Sequence, residues 1–399
     1  MKTLGHAILA VNVGSSSIKF ALYLIVNRAI DQPVIKGQFD HLMHAMNARI
    51  QFSHGGQSDS EEFYIAEHSD KFDVALEQLT HLLEKLFPAI QVVIVGHRVV
   101  QGGDKYFRPV VVNDEVLEDL THYIPLAPLH QPHNIDGIKI FSRFFSQAKQ
   151  VALFDTAFHQ HLPDVEKTFA IPLALTQQGI RRYGFHGLSY QYLCQALTQL
   201  TPAITKKSIL IHLGNGASMC ACVDRQSVAT SMGFSTLDGL MMGTRSGAID
   251  PGVLLYLLKK QWSLEQLEAL LYQDSGLKGV SGISSDMQML RNSDAAEASF
   301  AITLFTYQIV KYIGMLAAVL NGVDMVVFTG GIGEHDAQLR LAVTEQLTYL
   351  GLRIDQDKNS HANGLYPEKI STHDSPIEIW VIATDEEFIV AQESLNLYV

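Results

Sequence analysis

Residues 11–20 read VNVGSSSIKF and residues 211–220 read IHLGNGASMC. Laid over each other without a gap, 200 positions apart, they match Val11 with Ile211, Val13 with Leu213 and Gly14 with Gly214. Each stretch is an apolar strand running into a turn of small residues and out into a second strand. The order of elements around each also repeats. In the first half, apolar alternations near 7–13, 17–26, 33–39, 47–52 and 62–66 read as antiparallel strands. KFDVALEQLTHLLEKLF then places Phe72, Leu76, Leu79, Leu83 and Leu86 at helical spacing, and QVVIV (91–95) follows as a short buried strand. In the second half the strands SILIHL, ASMCACV and QSVAT precede a helix opened by Ser263 with Gln266 in capping-box register, a long helix near 295–320 and the strand DMVVFTGG. One pattern used twice predicts an α/β chain of two similar domains, each a mixed sheet flanked by helices, with a cleft between them.

A chain of 399 residues, 47% hydrophobic and 18% charged, can bury a core of that size. Its formal charge of −12, with no Lys/Arg-rich run, excludes nucleic acid or an anionic membrane as the expected partner. Any phosphate site must therefore be local. The three cysteines, Cys194, Cys220 and Cys222, have no zinc-like spacing; Cys220 and Cys222 read as two packed thiols, which points to a reducing, cytoplasmic compartment. Residues 7–13 are too short for a secretory core. FAITLFTYQIVKYIGMLAAVL (300–320) carries Gln308 and Lys311 near its middle, so a buried helix is expected rather than a membrane span.

A glycine turn between two strands exposes backbone N–H groups and forms an anion nest. Either turn alone would pass for an ordinary hairpin, but two in equivalent positions around one ligand suit a polyphosphate. TGGIGEHD (329–336) is a third glycine turn, between a strand and a helix pattern. There is no Gly-Lys dipeptide, hence no Walker loop, and no G-x-G-x-x-G. Four polar residues stand in apolar, mostly glycine-flanked segments: Arg98 in VIVGHRVVQGG, Asp155 in VALFDTAFH, His186 in RRYGFHGLS and Arg245 in GLMMGTRSG. Any one alone would be a structural ion pair or a surface residue. His130, His133, His159 and His161 invite a zinc reading, but there is no HExxH and their spacings fit no usual set.

Together these segments resemble the acetate kinase family, within the acetate and sugar kinase, Hsp70 and actin superfamily, nearly end to end. The motifs are NVGSSSIKF, GHRVVQGG, PLAPLHQPHN, FDTAFH, RRYGFHG, HLGNGAS, SMGF, GLMMGTRSG, DSGLKGVSGISSD, FTGGIGE and ATDEE. The resemblance implies two actin-like (ribonuclease H-like) domains with five-stranded mixed sheets. Residues 1–150, completed by 387–399, would form the acyl-substrate side and 151–386 the nucleotide-binding side. It implies an ATP:acetate phosphotransferase, making acetyl phosphate and ADP reversibly with Mg2+ or Mn2+, as a cytoplasmic homodimer. Asn12 and Glu386 match the metal-associated pair and Lys19 a phosphate contact. Arg98 and Arg245 match the carboxylate- and phosphoryl-holding arginines, His186 the histidine on the transferred phosphoryl group, Asp155 the acid/base aspartate and His130 an active-site histidine. Asp155 is expected mainly to orient an arginine or the metal. His212, Leu213, Gly214, Asn215 and Gly216, with Asp286, Met287 and Gln288 and with Gly331, Ile332, Gly333, Glu334 and His335, match the ATP contacts. Val100, Leu129, Phe185 and Thr236 match the acyl pocket.

Departures from the family pattern bear on specificity. T-P-L-E-G reads Ser235, Thr236, Leu237, Asp238, Gly239, which keeps propionate and butyrate open as substrates. S-S-D-x-R ends in Gln288 and G-I-G-E-N in His335, near the nucleotide. T-N-E-E reads Thr384, Asp385, Glu386, Glu387, which adds a carboxylate near the metal, and R-V-V-H-G-G has Gln101. A different class, an actin- or Hsp70-like ATPase clamp, would have no use for the cationic set Arg98, Arg245 and His186.

Overall fold

The run GHAILAVNV forms strand β1 (Gly5–Val13), in which every side chain from Ala7 to Val11 is buried, as a central strand covered on both faces requires. In the computed structural model, which describes residues 5–14, 17–40, 42, 48–66 and 70–398, β1 pairs antiparallel with β2 (Ile18–Leu24). The antiparallel series continues through β3 (Ile35–Asp40), β4 (Ala48–His54) and β5 (Gln57–Phe63). On its other side β1 runs parallel to β6 (Ile90–Val99). Beyond the short β7 (Val110–Val111), β8 (Lys149–Phe154) lies parallel to β6, and the sheet order is β5-β4-β3-β2-β1-β6-β8-β7. The fifth strand forms at 57–63 rather than at the expected 62–66. Gly55 and Gly56, at φ +57° and +79°, make a two-residue hairpin turn that sends the chain straight back at Gln57. QSDSEEF shows no apolar alternation because it is an edge strand exposed almost throughout, and its charges discourage further pairing.

Helix Lys71–Leu86 is opened by Asp70, whose carboxylate accepts the N–H of Phe72 at 2.8 Å and of Asp73 at 3.1 Å. Its buried stripe of Phe72, Leu76, Leu79 and Leu83 packs with Phe20, Phe39 and Ile50 of the sheet. The C-terminal helix Glu386–Asn396 packs on β1 and β6, so Met1–Ala157 and Asp385–Val399 form one unit. The division after Ala157, later than the expected 150, leaves β8 and Asp155 in this first unit.

The second unit, Phe158–Thr384, repeats the plan. β9 (Lys207–Leu213), β10 (Ala217–Val223) and β11 (Gln226–Thr230) are antiparallel neighbours. β12 (Met325–Thr329) is parallel to β9; with β13 (Glu368–Lys369) and β14 (Glu378–Val381) the order is β11-β10-β9-β12-β14-β13. The five-strand cores β3-β2-β1-β6-β8 and β11-β10-β9-β12-β14 thus have the same order and directions. The sheets are larger than the expected five strands, eight and six among the described residues, because a hairpin and short edge strands are added. The duplication holds to the glycine and then slips. β1 and β2 close at Val13↔Ile18 around Gly14–Ser17, whereas β9 and β10 close at Leu213↔Ala217 around three residues. Ser15 and Ser16 lie outside the described residues. Ser263 and Gln266 form the expected capping box. Helix Ala296–Leu320, long and apolar enough to cross a membrane, has one third of its most apolar window buried. Phe305, Ile309, Ile313 and Leu316 form its buried face and it packs on β9, β10 and β11, while Phe300, Tyr307, Met315 and Val319 are exposed. It is a core helix buried along one face.

The C-terminal helix approaches β6 so closely that a Cβ on Gly96 would stand 2.6 Å from Ser394 Oγ and 2.7 Å from Val390 Cγ1. Gly96→Val is expected to cost about 1–3 kcal/mol through overpacking and to lower the melting temperature by several degrees. An unchanged thermal midpoint would contradict this seating of the helix.

Candidate active site

Three neighbouring parallel strands of the first unit end in polar groups. Val11 is opposite His97 in the β1–β6 ladder, so Asn12 and Arg98 leave the sheet at the same end, and Asp155 follows β8 immediately. The carboxyl ends of parallel strands are where α/β sheets present functional groups. Arg98 grips Asp155 bidentately: Nε lies 3.0 and 3.2 Å from the two carboxylate oxygens and Nη2 lies 2.7 Å from Oδ2. Glu386, the first residue of the C-terminal helix, brings Oε2 to 3.4 Å from the same Nε. Burial by itself would favour a neutral Arg98, but Asp155 and Glu386 outweigh it and hold the guanidinium charged well above its ordinary range. Lys19 is opposite Asn12 across the β1–β2 ladder.

The neighbours of this row are held by residues that the sequence did not single out. Asn134, from PLHQPHN, accepts the Val100 N–H at 3.0 Å and donates to the Val13 carbonyl at 3.0 Å, tying the ends of β6 and β1 together. His97 is 2% exposed and its Nε2–H donates to Gln150 Oε1 at 2.8 Å; burial pushes its pKa down to about 4. Asp385 Oδ1 caps the C-terminal helix by accepting the Phe388 N–H at 3.1 Å and pairs with Lys36 at 3.2 Å. Glu387, also 3.2 Å from Lys36, is held below the ordinary carboxylate range despite its burial. Val100 is buried, Leu129 is 41% exposed and His130 stands half-buried at the start of helix Gln131–Phe144.

In the second unit, His186 sits in the left-handed region, φ 58° and ψ 25°, at the N-terminus of helix Gly187–Leu200. Its Nδ1 lies 2.8 Å from Ser218 Oγ, which also bonds the Tyr190 hydroxyl, and its ring stacks on His212 with centroids 4.3 Å apart. With the Ser218 hydroxyl donating to Nδ1, the neutral ring carries its hydrogen on Nε2. That nitrogen is 3.4 Å, and Arg245 Nη1 3.9 Å, from where a Cβ on Gly216 would stand, so both side chains converge on the bare turn GNG. Arg245 Nη1 donates to the Thr236 carbonyl at 3.3 Å, and the Gly243 N–H donates to the Asn215 carbonyl at 3.1 Å, latching GLMMGTRSG onto that turn. Phe185 is fully buried and Thr236 is 7% exposed.

The third glycine turn is itself a short helix, Gly330–His335, directly after β12. Glu334 is turned inward: Oε1 accepts from the Gly330 N–H at 2.8 Å, Thr329 Oγ1 at 3.2 Å and the Thr384 N–H at 3.3 Å. Arg340, 0% exposed and not anticipated, donates to the carbonyls of Gly333, Glu334, Asn359 and Ala362 and to Asn359 Oδ1, tying down the end of this helix. Asp286 caps helix Met287–Arg291, Met287 is buried, and Gln288 and His335 are exposed. Among the described residues no three His, Cys, Asp or Glu side chains gather as a metal cage.

A sequence profile of the Acetokinase family matches residues 7–392. An acetate kinase of Rhodopseudomonas palustris (strain TIE-1) is 45% identical over 398 residues, covering 99% of each chain. Among solved structures, a propionate kinase from Francisella tularensis subsp. tularensis SCHU S4 superposes with a TM-score of 0.88 at 36% identity, covering 98% of this chain and 99% of its own. Porphyromonas gingivalis acetate kinase gives 0.86 at 32% identity, covering 99% and 100%.

Two outcomes test the first unit. Asp155→Ala strands a largely buried guanidinium and is expected to cost about 3–5 kcal/mol in urea unfolding, against little change if the pair is solvent-screened. For His97, the unfolded chain takes up a proton below its ordinary value of 6.5 while the folded protein stays neutral to about pH 4. Stability should therefore fall as pH drops through that window, by an amount on the order of 3 kcal/mol in all. Comparing urea midpoints of the wild type and His97→Gln at pH 7 and 4.5 checks the sign; identical slopes would exclude this histidine as the cause.

Proposed function

The chain belongs to the acetokinase family, and from that premise we propose that it transfers the γ-phosphoryl group of ATP reversibly to acetate, giving acetyl phosphate and ADP. The observation that supports this reading most is the convergence of His186 and Arg245 on the side-chain-free Gly216 turn. Acetate is already ionised at pH 7, so the transfer needs charge neutralisation and in-line alignment rather than a base. In this reading Arg98 holds the carboxylate and Asp155 fixes the plane of its guanidinium. A guanidinium can grip carboxylate and phosphoryl oxygens through two N–H groups at once, which an ammonium cannot. Arg245, steadied by the Thr236 carbonyl, and His186 Nε2–H face the oxygens of the group in transit. The turn at 212–216 and the helix at 331–335 serve the nucleotide, with Glu334 acting through its shape rather than by contact.

Asn12, Glu386 and Asp155 offer the hard oxygen donors that Mg2+ prefers, and Mn2+ accepts the same set. Magnesium, when bound, would neutralise charge on the bridging phosphate oxygens. A second reading, propionate as the acyl substrate, is favoured by the likeness to the Francisella kinase and by a threonine at 236. Three free, buried cysteines agree with a cytoplasmic site of action. We also place a second copy of the chain on the second unit, where helix Pro251–Lys259 buries none of its residues and exposes Val253, Leu255, Tyr256 and Leu258. Light scattering should return twice the chain mass, and a monomer would refute this.

The reaction is tested by trapping acyl phosphate with hydroxylamine in the presence of ATP and magnesium, across formate, acetate, propionate and butyrate. Acetate should give the largest kcat/KM; preference for propionate would favour the second reading, and ATP loss without hydroxamate would leave only an ATPase clamp. Arg245→Ala should lower kcat by roughly 10²-fold or more, as removal of one transition-state donor does. Near-normal turnover would remove that arginine from the transfer.

A further inference from the structure

His186 is held in a conformation that costs a non-glycine residue about 1–2 kcal/mol, and such backbone persists only where its surroundings enforce it. The segment entering it is tight as well: Gly184 has φ +79°, and a Cβ there would stand 2.6 Å from the His159 ring. His159, the histidine of FDTAFH, is 2% exposed and contributes to none of the contacts assigned above. Its Nε2 lies 3.0 Å from the Phe185 carbonyl, on the residue that immediately precedes His186. A carbonyl only accepts, so Nε2 carries the hydrogen.

The other face of the ring explains why that tautomer is kept. His159 Nδ1 lies 2.7 Å from Ser227 Oγ, and Ser227 Oγ lies 3.2 Å from Cys220 Sγ, itself 3.5 Å from Cys222 Sγ. In the neutral chain the thiol donates to the serine, the serine to Nδ1, and Nε2–H to Phe185. Burial works against a Cys220 thiolate, whereas Cys222, His159 and Ser227 favour it. The ring also meets Tyr190 edge-on, centroids 5.9 Å apart, and Tyr190 shares Ser218 with His186. His159 thus touches both supports of His186, the backbone before it and the tyrosine beneath its Nδ1 partner.

We propose that His159, locked by Ser227 and Cys220, is a positioning residue that aims His186 at the phosphoryl group by holding the Phe185 carbonyl and the Tyr190 ring. This rests on the role proposed for His186. A displacement of about 1 Å remote from the chemistry can lower turnover by 10²-fold, so the effect should fall on kcat.

The test is a double-mutant cycle, read as kcat and KM for ATP and acetate by the hydroxamate assay, on wild type, His159→Phe, His159→Gln, His186→Ala and the double variant H159F/H186A. His159→Phe should lower kcat by about 10-fold or more with both KM values within about 3-fold. His159→Gln, which retains an N–H donor, should recover most of that loss. The double variant should be no slower than His186→Ala alone. If His159→Phe does not fold, Ser227→Ala, which leaves the ring in place but removes its lock, is expected to lower kcat with the same non-additivity. Losses that multiply in the double variant, or a His159→Gln as slow as His159→Phe, would overturn the proposal alone. Normal turnover by His186→Ala would remove the role of His186 and this inference together.

Discussion

A guanidinium as enclosed as that of Arg98 exists only where carboxylates meet it, because taking a charge out of water costs several kcal/mol unless it is paired and hydrogen-bonded. Asp155 meets it with both oxygens, and Glu386 adds a second negative charge. Much of the first unit is arranged by that requirement. Arg98 lies at the end of β6 and Asp155 just past β8, so the pair clamps two adjacent parallel strands, and Glu386 draws in the start of the C-terminal helix. Residues from Asp385 onward accordingly belong to the first unit. Asn134 performs the neutral counterpart, joining β6 to β1 through the Val100 N–H and the Val13 carbonyl.

The second unit holds His186 and Arg245 by different means. Ser218 and Tyr190 brace His186, and the Thr236 carbonyl braces Arg245, in each case through uncharged groups. Neutral supports of this kind fix the orientation of both side chains. Glycines supply the room. Gly330, at φ +78°, sits so near the Leu213 backbone that no side chain would fit, and Glu334 then seals the short helix that starts there. The buried Arg340 satisfies its donors on four carbonyls and an amide oxygen, which binds that helix to the segment around Asn359.

Much of this was legible beforehand. The two glycine hairpins, the shared order of their neighbouring strands, the capping box at Ser263 and the helix from Lys71 all follow from local rules of periodicity, turn chemistry and capping. Arg98, Asp155, His186 and Arg245 stood out because a charged or switchable group in an apolar segment needs a reason. The edge strand β5 was expected too late in the sequence because a strand paired on one side and exposed on both faces has no hydrophobic period. The pairing of Asp385 with Lys36 was not legible because the two are 349 positions apart in sequence. The inward turn of the Glu334 carboxylate was not legible because nothing local says which way a carboxylate turns.

The amino-acid sequence by itself determined the doubled α/β plan, the glycine turns and the identities of the polar groups at the strand ends, since these depend on interactions among residues a few positions apart. Tertiary structure alone decided which charges neutralise one another, which carboxylates remain as oxygen donors and how His186 is aimed. Those outcomes depend on burial and on partners far apart in the chain. His159 shows the difference: as a letter in FDTAFH it was one of four histidines to weigh against zinc, and only folding set Ser227, Cys220 and the Phe185 carbonyl around its ring.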